Sequence, residues 1–122
     1  MNSKEIENFL KFLREAEEKF NMAQEEEIEL NNQTQDILHF LELEKHPYHE
    51  YAKLAKKLKT VREERRKVKD YIQETGPIMT WLENNRQTIK NLEQLLGTVR
   101  KAEKSTVNRI YIPKSSIDVL KS

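Results

Sequence analysis

The chain has 122 residues, 36% hydrophobic and 35% charged, with a mean hydropathy of −0.90. This is enough for one domain with a narrow apolar seam, and too little for a deep globular core. There are no cysteines, which excludes disulfides and thiolate metal sites and fits a reducing, cytoplasmic setting. The N-terminus is charged and periodic, without the apolar run of a signal peptide, and no stretch approaches the ~20 apolar residues that span a bilayer, so a membrane partner is not expected.

The net charge of +1 hides a segregation. Residues 1–44 hold four Lys/Arg against twelve Asp/Glu, whereas residues 45–122 hold eighteen against nine. An acidic first segment and a basic second one attract each other when packed together.

Breakers are scarce between residues 3 and 104: Pro47, Gly76, Pro77 and Gly97. The pattern predicts an all-α fold of three long antiparallel helices, about 3–44, 48–75 and 77–104, in a coiled-coil-like bundle, followed by a C-terminal tail, 105–122. Helix 1 opens with Ser3 as a candidate cap and carries an apolar seam of Ile6, Phe9, Leu13, Ala16, Phe20 and Ala23. The register runs on through Glu27, Leu30, Thr34, Ile37 and Leu41. Helix 2 starts at Pro47, a residue favoured in a first turn, with Tyr51, Leu54, Leu58, Val61, Arg65, Val68 and Ile72 inside. The Gly76-Pro77 pair reads as a left-handed helix end followed by a new helix start. Helix 3 presents Ile78, Leu82, Asn85, Ile89, Leu92, Leu95, Leu96 and Val99, and Gly97 inside it costs ~1 kcal/mol relative to alanine. The tail mixes a β-branched, extended stretch at 107–113 with a capping-box pattern, Ser115-Ser116-Ile117-Asp118. It is a candidate clasp across an oligomer.

Antiparallel folding about these two turns sets three polar seam residues at one level. Glu27, Arg65 and Asn85 are therefore expected to form a buried polar layer, fixing register as polar core residues do in coiled coils, with a ligand pocket the less favoured use. A helix 1 of about 40 residues is ~60 Å long and outreaches helices of about 28, at ~42 Å. The overhang would expose Ile6, Phe9, Leu10, Phe12, Leu13 and Ala16. An apolar stripe of that kind needs a cover, and a homodimer or larger closed assembly through Ile6, Phe9, Leu10 and Leu13 is expected.

The strongest local signal for function is KLAKKLKTVREERRKVK, residues 53–69, with nine Lys/Arg against two Glu. Lys53, Lys56, Lys57, Lys59, Arg62, Arg66, Lys67 and Lys69 point away from the seam or flank it. They are candidates for holding phosphates, with Tyr48 and Tyr51 available for stacking. A solvated face neutralised by the acidic first helix is the competing reading, and the two are evenly matched. His46 and His49 in HPYHE, with Glu50 beside them and His39 upstream, match no zinc spacing and read as surface residues of a turn. Trp81 reads as an anchor at the hairpin end. Carboxylates are many, but none sits in a pattern with a base or nucleophile, and no glycine-rich phosphate loop occurs. No cofactor and no metal are expected, and an enzyme is not indicated.

The segments QTQDILHFLELEKHPYHEYAKLAKKLKTVREERRKVKD and NRQTIKNLEQLLGTVRKAEK, spanning most of residues 33–104, resemble small all-helical proteins of unknown function from phages and prophages of Gram-positive bacteria. That resemblance implies an accessory protein in the host cytoplasm that acts by binding. One expected role is capture of nucleic acid or a phosphate-bearing nucleotide signal, in some cases against host defence. The alternatives are an inhibitor that occupies a host defence protein, in the manner of anti-CRISPR proteins, and a structural or assembly component of the phage particle.

Overall fold

The computed structural model describes residues 1–43, 45, 47–107 and 109. It is an all-helical bundle of three helices, α1 (Asn2–Leu43), α2 (Tyr48–Asn84) and α3 (Arg86–Val107), with no strand among the described residues. The tail beyond 109, including 110–113 and the capping-box pattern, lies outside the described residues, as do Glu44 and His46. Residues 105–107, read from sequence as the start of the tail, are the last turn of α3.

The α1–α2 pairing follows a seven-residue repeat. In α1, Ala16, Ala23, Leu30 and Ile37 are buried at intervals of seven. In α2 the matching ladder is Leu54, Val61, Val68, Thr75 and Leu82, of which Val61, Thr75 and Leu82 are buried. A strict repeat of seven keeps one seam facing a partner helix over many turns. The centre of this seam packs Leu30, Ile37 and Val61 together with Leu41, Leu54, Leu58 and Val68. Pro47 opens α2 as expected: its backbone (φ −60°, ψ 153°) is extended, and its carbonyl accepts from the amides of Glu50 and Tyr51 at 3.0 and 3.3 Å.

The second break is not at Gly76-Pro77. α2 runs through both residues to Asn84, and no glycine has a positive φ. The ladder explains this. Thr75 and Leu82 hold the seam on either side of the pair, so ending the helix at 76 would expose a turn and a half of buried surface. Proline leaves the Gln73 carbonyl without its usual amide donor, but Gln73 is exposed and water can serve it.

The chain breaks at Asn85 instead. The Asn85 side-chain amide donates to the Trp81 carbonyl at 2.8 Å, the acceptor that its own backbone amide would take in a continuous helix. That amide bonds one residue short, to the Leu82 carbonyl at 3.2 Å, and Asn85 takes φ −128° and ψ 30°. Its carbonyl then accepts from Ile89 and starts α3.

This displaced break changes the architecture. α2 has 37 residues, about 56 Å, and nearly matches the 42 residues, about 63 Å, of α1. α3 does not fold back along α2, which it scarcely touches. It packs on α1 and runs antiparallel to it: Arg86 meets Glu17, Arg100 meets Glu7 and Glu103 meets Ser3. α2 and α3 thus travel in the same sense, each antiparallel to α1.

Candidate anionic-ligand surface

The face of α2 about a quarter turn from its seam carries Tyr48, Tyr51, Ala55, Lys59, Arg62, Arg66, Lys69 and Gln73. Steps of three and four residues hold these side chains in one stripe along the helix. From Ala55 to Gln73 the stripe forms a shallow open groove of about 740 Å³, also lined by Leu58, Glu63, Arg65 and Asp70. Lys59, Arg62, Arg66 and Lys69 are exposed, and none of them makes an ion pair among the described residues. Five cations face two carboxylates in the groove.

The sequence run splits in two. Lys59, Arg62, Arg66 and Lys69 share the groove, whereas Lys53, Lys56, Lys57 and Lys67 do not line it. Lys67 lies on the other flank, beside Lys19, Met22, Glu26 and Tyr71. Tyr48 is 88% exposed at the N-terminal end of the groove stripe, and Tyr51 follows one turn on.

Glu27, Arg65 and Asn85 do not form the expected polar layer. Arg65 donates through Nε to Oδ1 of Asn31, one turn beyond Glu27 on α1. Asn85 sits 20 residues farther along the same arm, about 30 Å away by helical rise, and caps α2. The layer rested on α3 returning beside α2, and the α2–α3 direction removes that premise.

The N-terminal stripe is also not an overhang. Leu10 and Leu13 are 4% and 5% exposed and Ala16 is buried, while Leu96 of α3 is buried as well. Ile6 is half-buried. Ile6, Leu10 and Leu13 therefore do not present a free oligomer face. Phe9 and Phe12 do remain open, at 45% and 52%, and with Leu13, Pro77, Ile78 and Trp81 they line an apolar depression of about 300 Å³. Trp81, 41% exposed, is a wall of this depression rather than a hairpin-end anchor.

Sequence reasoning missed the contacts that fasten α3 to α1. Ser3 is not a cap of its own helix: its hydroxyl donates to Glu103 at 2.6 Å and its backbone amide to the same carboxylate at 3.0 Å. A carboxylate from α3 thus satisfies one of the free amides at the α1 N-terminus, where negative charge is favoured. The Ser3 bonds hold the Glu103 carboxyl below the usual carboxylate range. Arg86 bonds Glu17 through two nitrogens at 3.0 and 3.3 Å, which lowers the Glu17 carboxyl and raises the guanidinium. Arg100 pairs with Glu7 at 3.1 Å. No short-range pattern announces these pairs, since their register depends on where α3 begins.

His39 and His49 are exposed, and the described residues contain no group of three or more His, Cys, Asp or Glu placed to hold a metal. No helix among the described residues is long and apolar enough to cross a membrane. No protein-family model, no curated protein and no solved structure matches this chain.

Proposed function

We propose that this is a non-enzymatic binding protein that holds a phosphate-bearing anionic ligand on the basic flank of α2. The observation that carries the reading is the set Lys59, Arg62, Arg66 and Lys69, exposed, without an ion pair among the described residues and aligned on one face of a long helix. Such a set keeps its charge for a ligand, and neutralising phosphates there releases condensed counterions. The groove is open and extends about 27 Å from residue 55 to 73, which favours a polymer such as nucleic acid over a single nucleotide, because small-ligand sites enclose most of their ligand. The resemblance to phage proteins makes an accessory role in a host cytoplasm, including action against host defence, the natural setting.

The test compares two triple variants of equal charge. Lys59→Glu, Arg62→Glu and Arg66→Glu remove the groove cations; Lys53→Glu, Lys56→Glu and Lys67→Glu change the same charge off the groove. Electrophoretic shift with mixed DNA and RNA probes should show binding lost in the first and largely kept in the second. Equal loss in both reduces the effect to net charge and sinks the site. A wild type silent toward every probe sinks the reading altogether.

One observation favours a second reading, inhibition of a protein partner. The depression of Phe9, Phe12 and Trp81 is apolar, exposed and separate from the basic flank, and it suits a partner protein or a second copy of this chain. Phe12→Asp with Trp81→Asp would abolish that contact and leave phosphate binding intact.

A further inference from the structure

We infer that the ligand of the α2 flank is a single-stranded nucleic acid, whose backbone follows the groove cations and whose end base stacks on Tyr48. This rests on the phosphate-binding reading above and narrows it to one substrate class.

Three observations separate a single strand from a duplex. The first is the position of the groove beside α1. A major groove about 12 Å wide admits one helix, and α2 enters it only if its basic face leads with nothing alongside. The groove is lined by α2 residues alone, on a face about a quarter turn from the seam by which α2 packs on α1, and packed helices lie about 8–10 Å apart axis to axis. The two-helix layer is too broad to follow α2 into a duplex groove. A single strand needs no such entry and can lie along the flank.

The second observation is the aromatic at the end of the stripe. Tyr48 is 88% exposed and shares the face of the cations. A phenol ring leaves a polymer of phosphate alone without a partner, and the bases of an intact duplex are stacked on one another. Unpaired bases offer a free face, and stacking on an aromatic is the sequence-tolerant contact that single-strand binders use.

The third is what lies between. Ala52 and Ala55 occupy the positions between the tyrosines and Lys59. Both are exposed, and Ala55 forms the end of the groove. Methyl side chains leave room for a planar base on the helix surface. The cations begin where the alanines end and continue in rises of about 4.5 to 6 Å from Lys59 to Lys69. The site therefore has a stacking end and a phosphate end, about 32 Å apart from Tyr48 to Lys69 by helical rise.

The test uses the full chain and fluorescence anisotropy with labelled dT15, rU15, a 15-base-pair duplex and inorganic polyphosphate. The expected result is binding of dT15 or rU15 at least tenfold tighter than of duplex or polyphosphate. The two strand probes separate DNA from RNA, and preference for either supports the inference. Four phosphate contacts give a slope of log affinity on log salt near −3 for a single strand, a loss of roughly 50-fold between 50 and 200 mM. Tyr48→Ala should weaken strand binding about tenfold and leave polyphosphate binding unchanged, while Tyr48→Trp should retain it. Circular dichroism checks that the exposed substitution leaves the helices in place. Duplex bound as tightly as strand, or strand binding indifferent to Tyr48→Ala, overturns the single-strand inference and leaves the phosphate site standing. Absence of binding to all four probes overturns both.

Discussion

Replacing Gly76 and Pro77 by alanine tests the central architectural feature, the passage of α2 through a pair that ordinarily ends helices. In a continuous helix both residues are poor choices. A Cβ added at Gly76 meets nothing within 4 Å, and the residue has no positive φ, so Gly76→Ala gains helix propensity without a clash, about 1 kcal/mol. Pro77→Ala restores an amide for the Gln73 carbonyl and removes a ring from the helix interior, worth about 3 kcal/mol in helix propensity. Against this, proline stiffens the unfolded chain, and its loss returns up to about 1 kcal/mol of entropy to that state. The expected net for Pro77→Ala is a gain of about 2 kcal/mol, and for the double change about 3 kcal/mol, with some departure from additivity between neighbours. For a chain of this size that is a rise in melting temperature of roughly 10 °C. Guanidinium denaturation followed by circular dichroism, with calorimetry, measures both quantities. A turn at 76 predicts the reverse: alanine is strained in a left-handed helix end, and Gly76→Ala then destabilises by about 1 kcal/mol. Loss of stability in Gly76→Ala would refute the continuous helix.

Leu96→Ala should cost about 2–4 kcal/mol in urea denaturation, because Leu96 is the buried residue of α3; a cost below about 0.5 kcal/mol would mean that α3 is not docked. Arg65→Ala should cost only about 1 kcal/mol, the worth of one part-buried side-chain bond, and a double-mutant cycle should couple Arg65 to Asn31 and not to Glu27 or Asn85. Acid should loosen the polar contacts that fasten α3 to α1. The Glu17 and Glu103 carboxyls titrate below their ordinary values, so their contribution is complete above the usual carboxylate range near 4.3 and is lost as pH falls through it and below. The absence of native cysteines allows Lys4→Cys and Lys101→Cys to be spin-labelled alone, and the distribution of label distances should broaden as pH falls below the usual carboxylate range. A distance unchanged down to the lowest pH at which the helices persist would remove these carboxylates from the docking of α3.

The helices and most of the α1–α2 seam are legible in the order of residues alone. Ala16, Ala23, Leu30 and Ile37 recur at sevens, Leu30 and Ile37 pack with Leu54, Val61 and Val68, and that period needs no tertiary information to read. The basic run was equally legible as a count, as was the start of α2 at Pro47. The end of α2 was not. Gly76-Pro77 is a strong local stop signal and Asn84-Asn85 a weak one, yet the ladder through Thr75 and Leu82 carried the helix past the first and left the second to break it. Local preference yields where continuing the helix keeps a buried seam intact. Everything downstream of that choice belonged to the tertiary structure: α3 lying on the start of α1, Glu103 bonded to Ser3, Leu10 and Leu13 covered, and Asn85 removed from Arg65. The division of the cations was decided in the same way. A run of nine Lys/Arg has no sides until packing against α1 sets which face of α2 is inward, and only then do Lys59, Arg62, Arg66 and Lys69 stand together with Tyr48.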